Sequence, residues 1–274
     1  MADRSQPRFA AAAGVRLAYQ TAGAGEPPMI FVHGWSCDRS CFRAQYAHFA
    51  ARHAVAALDL RGHADSSRPE PAGGGYDIGT LATDVITVAA AAGLSQPVVV
   101  GHSLGALIGL ACAARPDSVR ALVMVDPAPI TNERVKAYFR ESAAAVSADQ
   151  DGAWRRSFIS GMFLPTDSIR QAGLLEKMIA APPAVAGAVM RAMGAFDGPG
   201  ALSQVTVPVL SIGSARPANA SADLRRLCPG ISIGQTVGSG HFNQLEVPEQ
   251  VNAMIERFLA VNGLSQGGPS SAAC

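Results

Sequence analysis

Pro97-Val98-Val99-Val100-Gly101-His102-Ser103-Leu104-Gly105-Ala106, continuing as an Ala/Leu-rich run to Ala114, is the stretch on which the reading of this chain turns. Consecutive valines predict a strand buried on both faces, and the Ala/Leu-rich run predicts a helix. The chain must reverse direction within Gly101-His102-Ser103-Leu104-Gly105. Glycines two positions either side of Ser103 let strand and helix pass that close, which forces the serine into a strained backbone and leaves its hydroxyl exposed at the top of a sheet. The helix that starts there aims unpaired N–H groups and the positive end of its dipole at any negative charge forming on a molecule bound at Ser103. G-x-S-x-G alone fixes three positions and also occurs in inert glycine-rich turns. The strand before it and the helix after it make it a nucleophile elbow, the geometry that acyl transfer needs.

Outward from the elbow, strand-like and helix-like segments alternate. Val15 to Tyr19, Met29 to Val32, Ala54 to Leu58, Val98 to Val100, Ala121 to Val125, Val209 to Ile212 and Ile233 to Val237 read as strands. Phe42 to Ala51, Leu81 to Ala92, Ala106 to Ala114, Ala222 to Leu227 and Pro248 to Val261 read as helices. Continuously apolar strands imply helices on both faces, hence an α/β fold with a mostly parallel central sheet flanked by helices. One interval breaks the rhythm: about eighty residues separate Asp126 from Val207, where such loops usually have 2 to 6. Thr131 to Val146, Gly152 to Met162, Ser168 to Ile179 and Pro183 to Phe196 read as helices within it. The expected organisation is a core of residues 1–129 and 204–262, a helical cap of residues 130–203, and a disordered Gly/Ser/Ala-rich tail, Gly263 to Cys274. Such a cap belongs over the carboxyl ends of the strands, where open α/β sheets bind ligands.

Composition narrows the function classes. The chain has 274 residues, 49% hydrophobic and 16% charged, with a net charge of +1, as in a globular protein. No basic stripe favours a nucleic-acid or anionic-membrane partner. Five cysteines, at 37, 41, 112, 228 and 274, form no C-x-x-C pair, so reduced thiols are expected and a disulfide framework or zinc site is not. With no apolar leader and no apolar run of about 18 residues, a cytoplasmic protein without a membrane span is expected. Gly23-Ala24-Gly25 leads into Glu26-Pro27-Pro28 and lacks the dinucleotide fingerprint, so neither cofactor nor metal is expected. The oligomeric state is open.

An elbow serine needs a base. Of six histidines only His241 lies downstream, in Gly238-Ser239-Gly240-His241-Phe242 after the final strand. A neutral imidazole there takes the proton from Ser103 and returns it to the leaving group. His102 flanks the serine, and side chains of adjacent residues at a tight turn point apart, so it is expected to pack or bond locally. The carboxylate that orients His241 is Asp126 at the end of Ala121 to Val125, with Asp223 as the alternative because no acid follows Ile212 until that position. The two N–H donors for the attacked carbonyl oxygen are expected from Leu104 and from Trp35, in the loop His33-Gly34-Trp35, where Gly34 lets the backbone turn tightly.

Together these residues resemble the α/β-hydrolase superfamily from about Val15 to Val261. The family's H-G-aromatic loop stands here as His33-Gly34-Trp35. Its D-x-R-G-H-x-x-S turn runs from Asp59 through Arg61, Gly62 and His63 to Ser66, with Ala64 where glycine is usual. The resemblance implies the α/β-hydrolase fold with the cap inserted after the family's sixth strand. The acid after that strand, rather than the seventh, looks like haloalkane dehalogenases and zearalenone-type lactonases. Dehalogenases attack with aspartate, so serine esterases and lactonases are the closer match. The implied substrate is a medium-sized hydrophobic ester or lactone, with Phe158, Met162, Phe163, Met190 and Met193 as pocket residues and Met178 and Phe196 nearby. C–C bond hydrolases and cofactor-free haloperoxidases, which reuse the same three residues, stay open as alternatives, as does a low-turnover ligand-binding protein.

Overall fold

The computed structural model describes residues 6–12, 14–164 and 168–265, with backbone only for 168–171. Eight strands form one sheet in the order β1-β2-β4-β3-β5-β6-β7-β8. They are β1 (Arg8–Ala12), β2 (Val15–Ala22), β3 (Met29–Val32), β4 (Val55–Leu58), β5 (Val98–His102), β6 (Ala121–Val125), β7 (Val209–Gly213) and β8 (Ser232–Gln235). The first two are antiparallel and the pairs from β3 to β8 are parallel. Residues of β3, β4, β5, β6 and β7 are all buried, as their unbroken apolar runs require.

The core helices are α1 (Arg43–Phe49), α2 (Ile78–Ala91) and α3 (Leu104–Ala113). Between β6 and β7 lie α4 (Glu133–Ala148), α5 (Ala153–Ser160), α6 (Ser168–Ile179), α7 (Pro183–Ala195) and α8 (Gly198–Ser203). The last three are α9 (Ser221–Leu227), α10 (Asn243–Glu246) and α11 (Pro248–Val261). Leu17, Ile30, Leu81 and Leu107 belong to one buried cluster and Phe31, Phe42, Phe49 and Phe258 to a second, so the sheet separates two apolar layers.

Three of these elements add to the expected ones: β1, α8 and the single turn α10. β1 extends the sheet through an antiparallel register that pairs Ala12 with Val15. The short helix α8 packs on α3 and α9 of the core although the sequence places it in the cap. Of the expected tail, residues 266–274 lie outside the described residues. Among the described residues no single helix is long and apolar enough to cross a membrane, and no cluster of three His, Cys, Asp or Glu side chains is placed to hold a metal. Cys37, Cys41, Cys112 and Cys228 are free thiols.

The D-x-R-G-H-x-x-S turn is absorbed into this frame. Arg61 donates twice to Asp84, from Nε and one Nη, each at 2.6 Å. Ser66 Oγ donates to the Asp59 carbonyl at 2.7 Å and accepts from the Ala18 N–H at 2.8 Å. Ala64 has φ of 40°, a left-handed conformation that costs a side chain about 1 kcal/mol or more and that glycine adopts freely. That is the physical reason glycine is usual there.

Candidate active site

Ser103 sits between β5 and α3 with φ 53° and ψ −111°, a strained geometry for any residue with a Cβ. The crossing is close on both sides. A Cβ on Gly101 would overlap the Gly105 carbonyl, and one on Gly105 would overlap the Val32 carbonyl. Hydrogen bonds hold the strain in place: the Ser103 N–H donates to the Val125 carbonyl at 3.0 Å, and the Ser103 carbonyl accepts from Ala106 at 3.1 Å and Ala128 at 3.2 Å.

Asp126 continues β6 and also takes a positive φ, 37°. Its N–H donates to the Ile212 carbonyl at 2.7 Å. Both side-chain oxygens are engaged: Oδ1 accepts from the Ser214 N–H at 2.8 Å, and Oδ2 pairs with His241 Nδ1 at 2.6 Å. A carboxylate on Nδ1 fixes the proton there and leaves Nε2 as the free lone pair of the neutral ring. Asp223, by contrast, stands on the exposed side of α9 and faces Arg226 at 3.6 Å.

The loop that carries His241 is pinned from several directions. Glu246 accepts from the N–H of Gly240 at 2.6 Å and of Phe242 at 3.2 Å. The His241 N–H donates to the Met162 carbonyl at 2.9 Å, which ties the loop to the segment after α5. His102 does not bond locally as expected: its Nε2 reaches the His241 carbonyl at 2.9 Å, across 139 residues of sequence. Burial and the neighbouring His241 hold His102 well below the usual histidine range, so it donates as a neutral ring.

In the loop after β3, His33 Nδ1 donates to the Gly34 carbonyl at 2.8 Å and its Nε2 accepts from the Leu60 N–H at 3.0 Å. Burial lowers its pKa to about 4, which keeps the acceptor free for that bond. Gly34 is needed for proximity rather than for a positive φ: a Cβ there would come within 2.8 Å of His102 Nδ1 and 3.4 Å of Ser103 Cβ. The Trp35 N–H has no backbone acceptor among the described residues, and Leu104, as the first residue of α3, has no intrahelical one. The Trp35 indole Nε1 donates to the Ala186 carbonyl of α7 at 2.8 Å, so this residue also binds core to cap.

Ser103, Asp126, His241 and Trp35 line one cavity of about 400 Å³. Phe158, Met162, Phe163 and Met193 line it from the cap. Met190 does not, and is a correction. It is fully buried in α7, where Gly187 and Gly194 lie against Ser147 and Ala143, and against Lys136 and Arg140, of α4. Helical spacing puts residue 190 on the same face as 187 and 194, so Met190 belongs to the α4–α7 seam. Leu104 is fully buried as the first residue of α3 and is not among the residues that line the cavity. The expected set omits Val135, Tyr138 and Phe139 of α4 and Arg216 after β7, all of which line the cavity. The first three share a helix face by their i, i+3, i+4 spacing, a signal present in the sequence; no local pattern marks Arg216.

Residues 29–254 match the family model described as the alpha/beta hydrolase family. The chain belongs to this family. It is similar to a 2-(acetamidomethylene)succinate hydrolase of Mesorhizobium japonicum, 28% identical over 89% of this chain and 92% of the relative. It is similar also to 3-oxoadipate enol-lactonase 2 of Acinetobacter baylyi, 27% identical over 89% of this chain and 93% of the relative. A thermophilic esterase from Thermogutta terrifontis has the same fold, with a TM-score of 0.81 over 94% of this chain and 99% of that one at 22% identity. The family and these relatives mark the chain as a hydrolase.

Proposed function

We propose that the protein hydrolyses a medium-sized hydrophobic carboxylic ester or lactone through an acyl-enzyme on Ser103. The observation that carries this reading is the Asp126–His241 bond of 2.6 Å within the cavity that Ser103 also lines. Ser103 Oγ attacks the substrate carbonyl carbon while its proton passes to His241 Nε2. Asp126 stabilises the resulting imidazolium and keeps the ring in one tautomer. The N–H groups of Trp35 and Leu104, with the N-terminus of α3, hold the oxyanion. Collapse of the intermediate breaks the C–O bond, and the alkoxide leaves with the proton from His241; in a lactone it stays tethered. Water then attacks the acyl carbon and gives its proton to His241, and as the acyl bond to Ser103 breaks, His241 returns that proton to Ser103 Oγ and the carboxylic acid is released. The four cap residues on the cavity and Val135, Tyr138 and Phe139 supply the apolar surface for the substrate body. The enol-lactonase and the 2-(acetamidomethylene)succinate hydrolase among the relatives support a hydrolytic reaction by analogy.

The test is a panel of nitrophenyl esters of graded acyl length and of lactones, run on the wild type and on Ser103→Ala. Turnover is expected in the first and none above background in the second, with unchanged circular dichroism. Ester turnover that survives in Ser103→Ala would reject the reading. Faster dienone cleavage or peroxide-dependent halogenation than ester hydrolysis would move it to the C–C hydrolases or perhydrolases.

A further inference from the structure

Away from Ser103, Asp126, His241, Ser214 and Ser239, the side chains on the wall of the cavity are mainly apolar and aromatic. Trp35, Tyr138, Phe139, Phe158 and Phe163 line it, and among the described lining residues Arg216 is the one lysine or arginine. Its guanidinium has no hydrogen bond or ion pair to another described residue. The buried arginines are matched, Arg61 with Asp84 and Arg155 with Asp149. Arg216 shares its lack of an acidic partner among the described residues with exposed arginines such as Arg134 and Arg191 and differs from them in lining the cavity. The acid of the cavity itself is not available to Arg216, because one oxygen of Asp126 accepts from Ser214 and the other pairs with His241.

The loop that presents Arg216 is also fixed. The Arg216 N–H donates to Ser214 Oγ at 3.3 Å, and the Ala215 N–H to the Ser239 carbonyl at 3.2 Å. Asn219 clamps the far end, donating to the carbonyls of Pro127 and Ala128 at 3.0 and 3.1 Å and accepting from the Ile130 N–H at 2.6 Å. Pro217 stiffens the step between. The same short segment therefore orients the acid, through Ser214, and places an uncompensated positive charge on the wall of the cavity.

We infer that the substrate carries a carboxylate in addition to its scissile ester or lactone bond, and that Arg216 pairs with it. This rests on the hydrolytic reading above. The planar guanidinium fork matches a carboxylate in a two-point contact, while the aromatic wall holds the uncharged body. Arg216 is exposed to solvent, so water and salt screen the pair and the selectivity it gives is about tenfold rather than thousandfold.

The experiment compares matched pairs: 4-acetoxybenzoate with its methyl ester, which places the charge on the leaving group, and mono-4-nitrophenyl adipate with its methyl ester, which places it on the acyl side. The charged-to-neutral ratio of kcat/KM is measured for the wild type, Arg216→Gln and Arg216→Lys at low and high salt. In at least one pair the ratio is expected to fall about tenfold in Arg216→Gln, mainly through KM, with part of it kept in Arg216→Lys and the wild-type ratio reduced by salt. A ratio that is the same in wild type and Arg216→Gln for both pairs, while ester turnover persists, overturns the inference and leaves the hydrolytic reading standing. Calorimetric titration of 4-acetoxybenzoate and mono-4-nitrophenyl adipate into Ser103→Ala and into Ser103→Ala/Arg216→Gln reads the contact without turnover. Weaker binding of either ligand by the double variant supports it, and equal binding of both overturns it.

Discussion

The floor and the roof of the cavity are held by different forces. On the floor, Ser103 and Asp126 sit at positive φ and are locked by backbone hydrogen bonds into the sheet. His241 is fixed through backbone bonds to Met162 and His102 and by Glu246 at the residues on either side. The roof combines apolar side-chain packing with a buried polar hub, Arg155, which pairs with Asp149 and donates to the carbonyls of Ile179 and Ala181. Its helices α4 and α7 meet along Gly187 and Gly194, and the contacts that tie it down include the Trp35 indole on Ala186, Lys177 on Asp38 at 2.7 Å, and Met162 on His241. Directional bonds set the positions of reacting atoms to tenths of an ångström, whereas apolar packing sets only shape and volume. On the proposed reading the chemistry belongs to the floor, and substrate choice belongs to the roof together with Arg216 of the floor.

The sharpest way to break that division is to change the floor without changing its shape. Asp126→Asn keeps the bond to Ser214 but selects the wrong histidine tautomer, and ester kcat is expected to fall by about 10⁴. Asp223→Asn is expected to leave kcat within about twofold, since its effect is that of a surface pair. Steady-state kinetics on one nitrophenyl ester checks both, and the reverse ranking would move the acid to α9.

The roof has its own pair. Met190→Ala opens a hole in the α4–α7 seam and is expected to cost about 2–5 kcal/mol in chemical denaturation, with the order of preference among acyl lengths retained. Phe158→Ala faces the cavity, and its main effect is expected to be a changed chain-length preference. If Met190→Ala alters specificity as much as Phe158→Ala does, the roof is not divided into seam and pocket as described.

A smaller effect separates the regions by pH. His33 and His63, both in floor loops, are depressed by burial from 6.5 to about 4 and about 3, and residues 130–203 contain no histidine. Below pH 6.5 the unfolded chain binds protons that these folded sites refuse. Their contribution is therefore complete above that pH and is lost as pH falls toward 4 and then 3. Equilibrium unfolding at pH 7 and at about pH 5 is expected to differ by about 2 kcal/mol per buried histidine. His63→Gln is expected to flatten that slope, and an unchanged slope would contradict the assignment.

What was legible in the sequence follows the same division. The elbow could be read because its glycines, strand and helix lie within about twenty residues and obey local steric rules. Asp126 was favoured because it closes an unmistakable apolar strand, and His241 because no other histidine follows the elbow. The long reach of His102 to His241 was not legible, since a side chain's distant partner leaves no mark on its neighbours. β1 reads Arg-Phe-Ala-Ala-Ala and lacks β-branched residues, so its strand state comes from pairing with β2 rather than from propensity. The place of Met190 is not legible in the sequence, because an apolar side chain on a cap helix serves packing and pocket equally well until the neighbouring helix is known. Arg216 carried no pattern at all, and only the cavity shows what it faces.

The central claim is that Ser103 alone forms the covalent bond to substrate. Stoichiometric reaction with a fluorophosphonate, followed by peptide mass mapping and by ester turnover on the same sample, tests it most directly. The account predicts one adduct per chain, on Ser103, with activity lost in proportion to labelling. Full activity in completely labelled protein, or an adduct on a different residue, would contradict it.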